Sequence, residues 1–247
     1  MTRRILFTCS LLILFAASAA AQKTKPWTEW SEKDAEKILN DSAWGQTQTE
    51  GDTSSEASST SAITSTTAAR ESQVRNAGAA KNVESGETKG PVAVHYRVRL
   101  LSAKPIRAAF VRMVELQGAP PERVAQLRPF VDRDFGDYIV VTISMDGNDR
   151  KRMGPAVEEI SKADASVLKT TTYLERKDGK RVVLMDYRAP VQDGLGAKFV
   201  FPRTVEGKPL IEANSGEVRF STEVGKAIKI SKRFKVSDMM YDGKLEF

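Results

Sequence analysis

The stretch EVRFSTEVGKAIKISKRFKV, residues 217–236, sets the fold class of this chain. Two strand-like runs, Glu217–Val224 and Ala227–Val236, flank a turn at Gly225, and this pattern is typical of a β-hairpin. One face of the second run is apolar and the other carries cations, as in a half-buried strand; the apolar set is Ile228, Ile230, Phe234 and Val236. We therefore expect two antiparallel strands here.

A second hairpin is predicted on the N-terminal side of this stretch. Asp178-Gly179 separates residues 170–176 from residues 181–187, and Asp-Gly favours a two-residue turn between antiparallel strands. Further short strands are expected at residues 198–201 and 210–213, because turn residues follow them at short spacing. The sequence from residue 170 onward is therefore almost entirely strand.

The segment before residue 170 mixes strands with helices. Residues 92–100 alternate between apolar and polar side chains, and residues 138–145 form a strongly strand-like run closed by Asp146-Gly147-Asn148, so both are predicted strands. Three other runs have the helical period: Ile106, Ala109, Phe110, Met113 and Val114; Val124, Leu127 and Val131; and Met153, Val157 and Ile160.

This order of elements indicates an α+β fold, with a mainly antiparallel sheet and two or three short helices on one face or end. A separate amphipathic helix is expected near the N-terminus. The alternative is a β-sandwich with helical insertions. Residues 91–247 are long enough to bury one hydrophobic core, so we expect a single globular domain over that range.

All three tryptophans, Trp27, Trp30 and Trp44, lie in the segment 22–45. Ser31 with Asp34 three residues later predicts the start of an amphipathic helix of about ten residues. Such a helix is marginal alone in water, so it either docks on its own domain or recognises a partner, and its acidic polar face disfavours insertion into anionic lipid. The candidates for partner binding are Trp27, Trp30, Ile38, Leu39 and Trp44.

Composition predicts two further segments. Residues 46–90 are rich in Ser, Thr and Ala and poor in large apolar residues, so they are expected to form a disordered linker. Residues 1–21 have a basic start, an apolar run and Ala19-Ala20-Ala21, the pattern of a cleaved signal peptide. Since the apolar run is too short to span a bilayer, we expect export to the periplasm or the medium and no transmembrane anchor in the mature chain.

Several classes of enzyme are disfavoured by residue content. Cys9 is the single cysteine and lies in the predicted leader, and His95 is the single histidine, so the mature chain is expected to be cysteine-free and to lack a zinc site or a thiol nucleophile. Ser166 and Lys169 have the Ser-x-x-Lys spacing of acylating enzymes, but the companion motifs are missing. We predict no catalytic residue, no metal site and no cofactor.

The chain is basic, with 38 Lys and Arg against 32 Asp and Glu. Two predicted strands carry rows of basic side chains that could meet an anionic surface, although a solvated sheet face is the simpler interpretation. No nucleic acid is expected as a partner, because stacking aromatics are scarce there. The candidates for an anionic surface are His95, Arg97, Arg99, Lys229, Arg233 and Lys235.

Both ends of the chain carry motifs that resemble those of a family of exported bacterial proteins of unknown function. The first is WTEWSEKDAEKILNDS at residues 27–42, and the second is FKVSDMMYDGKLE at residues 234–246. Shorter similarities lie at residues 172–174 and 199–203. The resemblance implies export, and it carries no activity and no catalytic residue.

The sequence therefore predicts an exported, non-enzymatic protein that acts by contact with another envelope protein or an anionic surface. A carboxylate-dependent hydrolase of envelope polymers is one alternative, since glycan hydrolysis needs only two carboxylates. Its candidate residues are Asp132, Asp134, Asp137, Glu158 and Glu159. The other alternative is a surface protein that binds polyanions.

Overall fold

The computed structural model describes residues 25–51 and 93–247. The predicted signal peptide, residues 1–21, and most of the predicted linker, residues 52–90, lie outside the described residues. Within the described ranges, no helix is both long and apolar enough to cross a membrane.

Strands hold more of the described residues than helices do. In chain order they are β1 (Gly45–Gly51), β2 (Ala93–Leu100), β3 (Tyr138–Gly147), β4 (Tyr173–Arg176), β5 (Arg181–Val183), β6 (Asp186–Arg188), β7 (Ala197–Pro202), β8 (Thr204–Val205), β9 (Lys208–Pro209), β10 (Glu217–Val224), β11 (Ile228–Lys235), β12 (Met240–Tyr241) and β13 (Lys244–Leu245). The helices are α1 (Glu32–Asn40), α2 (Lys104–Leu116), α3 (Pro121–Val131), α4 (Arg150–Lys162) and α5 (Ala165–Leu168), with 3-10 turns at Trp27–Glu29 and Val236–Asp238.

The described strands form two main antiparallel sheets. The first has the order β1-β2-β3-β7-β6, and the second has the order β11-β10-β4-β5. Phe220 of β10 packs against Phe199 and Phe201 of β7, with ring centroids 5.7 Å and 6.0 Å apart. These aromatic contacts show that the inner faces of the two sheets enclose a common core.

The free edges of β1 and β11 are joined by side chains. The Gln46 and Gln48 amides donate to the carbonyl oxygens of Arg233 and Lys229 of β11, at 2.6 Å and 2.8 Å. In return, the Lys232 ammonium donates to the Thr47 carbonyl oxygen at 2.9 Å. We call these three contacts the edge seam. They satisfy backbone groups that an open sheet edge would leave exposed.

Each long helix begins where the sequence offers a suitable first turn. The Ser31 hydroxyl accepts from the Asp34 amide at 3.2 Å while the Asp34 carboxylate accepts from the Ser31 amide at 2.9 Å, so α1 has a reciprocal cap. Proline opens α2 and α3, where its missing N–H costs nothing. The Asp149 carboxylate accepts from the Lys151 and Arg152 amides at the start of α4.

The helices pack on the sheets and on one another. Helix α1 packs against α2, which packs against α3. Helix α4 lies near the β10–β11 turn, where the Glu159 carboxylate accepts from the backbone amides of Lys226 and Ala227 at 3.1 Å and 2.7 Å. The Tyr187 hydroxyl donates to the Ile160 carbonyl oxygen of the same helix.

The predicted α+β class with mainly antiparallel sheets is confirmed. The predicted hairpin at residues 170–187 is only partly right, because its second strand divides: β5 pairs with β4, whereas β6 crosses to the other sheet and pairs with β7. The predicted strand at residues 210–213 is wrong. Leu210 and Ile211 are buried but lie outside any strand, so their apolar character reflects burial alone.

The predicted start of the linker at residue 46 is also wrong. Residues 46–51 belong to β1, which pairs with β2 from Gly45 opposite Arg99 to Gly51 opposite Ala93. The run QTQTEG lacks large apolar residues, and its pairing depends on backbone hydrogen bonds and the edge seam. The N-terminal segment is therefore part of the domain.

Candidate functional site: a cleft with a pair of arginines

The tryptophan-bearing segment is docked on its own domain. Trp30 and Trp44 are buried, and both rings pack edge-on against Tyr241, with centroids 6.4 Å and 6.3 Å away. The indole N–H of Trp44 donates to the Glu246 carbonyl oxygen at 2.8 Å. The two sequence ends that carry the family resemblance therefore meet in space.

Of the two alternatives that the sequence left open, the structure has the docked helix and not a recognition helix with free tryptophan anchors. Trp30, Leu39 and Trp44 belong to the core, because each is less than 10% exposed and so unavailable to a partner. The other two candidates, Trp27 and Ile38, are partly buried and pack against the same core.

Docking of α1 helps to build a cleft. The cleft, with a volume of about 700 Å³, lies on the outer side of the first sheet between β2, helices α1, α2 and α3, and residues 192–195. Its walls are mostly apolar and half-buried. They include Phe110, Met113, Val114, Leu127, Phe130 and Leu195.

Arg97 and Arg99 line this cleft from neighbouring outward positions on β2. Arg99 donates to the Leu39 carbonyl oxygen at 2.9 Å, to the Asn40 side-chain oxygen at 2.9 Å and to the Ser144 hydroxyl at 3.2 Å. All three acceptors are uncharged. They orient the guanidinium group without neutralising it.

Burial and the second guanidinium group both act on Arg99. The pKa of Arg99 is lowered to about 10, chiefly by burial and secondly by the charge of Arg97, while Asp146 partly opposes both effects. Arg99 is still protonated at neutral pH. Arg97 donates to the Asp146 carboxylate at 2.5 Å and keeps about a quarter of its side chain exposed. Among the described residues, Asp146 is the one carboxylate that forms an ion pair with either Arg97 or Arg99. The two guanidinium groups together therefore carry more positive charge than Asp146 neutralises.

The far wall of the cleft is a loop held close to β3. A Cβ atom on Gly196 would lie 2.2 Å from the Ile143 carbonyl oxygen, and Gly196 has a φ of +84°, so only glycine fits there. The Asp193 carboxylate accepts from the Leu195 amide at 2.9 Å and from the Lys198 ammonium at 2.6 Å. These bonds fix the position of Leu195 in the wall.

A second cavity adjoins the first across this loop. It has a volume of about 710 Å³ and shares Phe130, Asp193 and Leu195 with the cleft. Its lining also includes Tyr138, Met185, Val191 and Val200. The outer face of the first sheet therefore carries two adjoining hollows, and the pair of arginines lies in the first.

The predicted cationic rows do not merge into one surface. Strands β2 and β11 belong to different sheets, and β1 lies beside β2. The candidates on β11 form ion pairs: Lys229 with Glu223 at 2.7 Å, Arg233 with Glu217 at 3.5 Å, and Lys235 with Asp238 at 3.1 Å. His95 hydrogen-bonds to the Thr49 hydroxyl at 2.9 Å.

Carboxylates considered for hydrolysis mostly have structural partners. Asp132 pairs with Lys104 at 2.7 Å and Glu158 pairs with Lys162 at 2.6 Å. Glu159 holds the β10–β11 turn, and Asp134 accepts from the Gly136 amide at 2.8 Å. Within the described residues, no group of three or more His, Cys, Asp or Glu side chains is placed to hold a metal ion.

Sequence reasoning selected the two arginines but missed the apolar walls. The positions of Phe110 and Met113 fit the apolar face of a helix, and periodicity does not distinguish a cleft wall from a core. The sequence feature that indicates the cleft wall is Gly194-Leu195-Gly196, since closely spaced glycines often mark a close approach of two backbones.

Comparisons with known proteins show little similarity. No protein-family model and no curated protein matches the chain. A crystal structure of a novel protein of unknown function from Burkholderia pseudomallei K96243 aligns with 67% of this chain and 84% of its own chain, at 11% sequence identity and a TM-score of 0.36. A similarity this low carries no inference about function.

Proposed function

We propose that this protein is an exported, non-enzymatic binding protein that recognises a small amphipathic anion in the cleft. The observation that supports this most is the pair Arg97 and Arg99 in a cleft of about 700 Å³ whose walls are largely apolar. Ligand sites in proteins commonly have this size and combine apolar walls with a few polar groups.

Charge favours an anion as the ligand. Two like charges on neighbouring positions of one strand repel each other, and partial burial makes that repulsion stronger than in water. Asp146 compensates one of them. That ion pair uses the Nε atom of Arg97, so a ligand carboxylate could bond to the terminal nitrogens of Arg97, reduce the remaining positive charge and form a charge-assisted hydrogen bond.

Binding fits the site better than carboxylate catalysis. Glu36 and Asp193 are the two carboxylates that line the described cleft, and Asp193 is already bound to Lys198. Export and membership of the resembled family remain parts of the proposal. They are supported by the leader-like residues 1–21 and by the two terminal motifs.

The test compares octanoate with octan-1-ol by isothermal titration calorimetry. Octanoate is expected to bind more tightly, because only its carboxylate can pair with Arg97. Arg97→Gln should weaken octanoate binding by about 10- to 100-fold, the value of one charge-assisted hydrogen bond. The matched control is Arg233→Gln, which removes the same charge from an exposed ion pair on β11 and should leave binding unchanged.

Two outcomes would reject the proposal. One is equal affinity for octanoate and octan-1-ol, and the other is an equal loss for Arg97→Gln and Arg233→Gln. A polyanion-binding surface would instead show affinity for an acidic polysaccharide that falls steeply with salt, as the screening length shortens from about 10 Å at 0.1 M to about 3 Å at 1 M.

A further inference from the structure

Three of the eight exposed large apolar side chains among the described residues line the second cavity. Tyr138, Met185 and Val191 line it, and they are 44%, 41% and 64% exposed. Large apolar side chains grouped on one surface commonly mark a binding site. Since the cavity adjoins the proposed anion site through Phe130 and Leu195, both hollows can hold one ligand.

The charged side chains of the second cavity have partners within the protein. Lys198 pairs with Asp193 at 2.6 Å, and Arg188 lies 3.4 Å from Asp186. The guanidinium group of Arg133 lies over the Phe135 ring, 5.5 Å from its centroid. Because the charged groups are already engaged, the apolar side chains are the main surface with which a ligand can interact. The second cavity therefore suits the uncharged part of a ligand.

On this basis, and resting on the proposed function, we propose that the ligand is a single-chain amphiphile. Its anionic head lies beside Arg97 in the first cleft. Its hydrocarbon chain passes Phe130 and Leu195 and covers Met185 and Val191 in the second cavity. The chain removes those exposed surfaces from water, and the head relieves the repulsion between the arginines.

Chain length provides the test. Titration calorimetry with octanoate and with hexadecanoate below its micelle concentration should show much tighter binding of the longer acid, because each buried methylene contributes about fourfold in affinity. Met185→Gln combined with Val191→Ser should weaken hexadecanoate binding by about tenfold or more and octanoate binding by less than twofold.

The matched control combines Val167→Ser with Val183→Ser. Both residues are exposed, at 66% and 54%, and they line neither hollow, so this variant should bind both acids normally. Thermal unfolding of each variant checks that the fold is retained. Hexadecyl phosphate, compared with hexadecanoate, distinguishes a phosphate head from a carboxylate head, and binding of either one supports the amphiphile.

The two proposals fail in different ways. If octanoate binds and Arg97→Gln weakens it, but lengthening the chain gives no gain, the amphiphile proposal is overturned and the anion site stands. If neither acid binds, the proposed function itself falls. Hexadecan-1-ol binding as tightly as hexadecanoate would also contradict an anionic head beside Arg97.

Discussion

At the scale of single residues, Trp44 shows how one side chain connects distant parts of the sequence. It packs edge-on against Tyr241 and donates to the Glu246 carbonyl oxygen, about two hundred residues away. Trp27 is only partly buried, with the Arg128 guanidinium group 5.7 Å from its ring centroid. The same residue type therefore has different roles within one segment.

Trp44→Phe should lower the free energy of unfolding by about 1–3 kcal/mol, because it removes the indole donor and leaves unfilled volume in the core. Trp27→Phe is the control and should cost less than about 1 kcal/mol, since Trp27 is only partly buried and phenylalanine keeps an aromatic ring beside Arg128. Urea-induced unfolding measures both values. Equal losses would mean that burial of Trp44 does not anchor the segment.

Tyr187 provides a pH-dependent test at the same scale. Burial raises the pKa of Tyr187 to about 12 from the usual 10, so in strong alkali the unfolded chain ionises first. The stability that the neutral hydroxyl contributes is complete below pH 10 and is lost as pH rises towards 12. The stability difference between wild type and Tyr187→Phe should therefore be constant up to about pH 10 and shrink above it, as measured by parallel urea titrations. A difference that stays constant to pH 12 would contradict the burial of this hydroxyl.

At the scale of elements, the edge seam explains why a polar run becomes a strand. The sequence of β10 and β11 alternates apolar and charged side chains, so both strands were predictable from residues 217–236 alone. The sequence of β1 has no such alternation. Composition alone therefore places it in the linker. It is held as a strand by pairing with β2 and by Gln46 and Gln48, which reach residues about 180 positions away.

Replacing Gln46 and Gln48 with alanine should therefore lower the free energy of unfolding by about 1–3 kcal/mol, which is the net value of two hydrogen bonds. The control replaces Gln117 and Gln192, two exposed glutamines outside the seam, and should change stability by less than about 0.5 kcal/mol. Chemical denaturation of both double variants decides the point. Indistinguishable midpoints would show that the seam is not stabilising.

The candidate site also combines features that depend on local sequence with features that depend on distant parts of the chain. Arg97 and Arg99 were selected from the alternation of β2, which is a local pattern. The cleft exists because three helices and residues 192–195 converge on that strand, and no short-range pattern records which helix faces which sheet. The cationic character of the site was thus predictable, whereas its concavity and its apolar walls were not.

At the scale of the whole molecule, the register of β1 and β2 indicates how the N-terminal segment could be joined more directly. Gly51 lies opposite Ala93, so a two-residue Asn-Gly turn could replace residues 52–92. If residues 52–90 are unstructured, as composition predicts, shortening the closure from 41 residues to two should stabilise the fold by about 2–3 kcal/mol. Circular dichroism and thermal unfolding check the result. Loss of the folded state would show that residues 52–92 contribute to the domain and would overturn the predicted linker.

The meeting of Trp30 and Trp44 with Tyr241 also constrains the order of events during biosynthesis. A ribosome makes the tryptophan-bearing segment early, yet the Tyr241 ring and the Glu246 backbone oxygen that hold it appear only when residues 241–246 have been translated. The first segment to be synthesised therefore forms its native contacts last. Folding of this domain can be completed only after residue 246 has been translated.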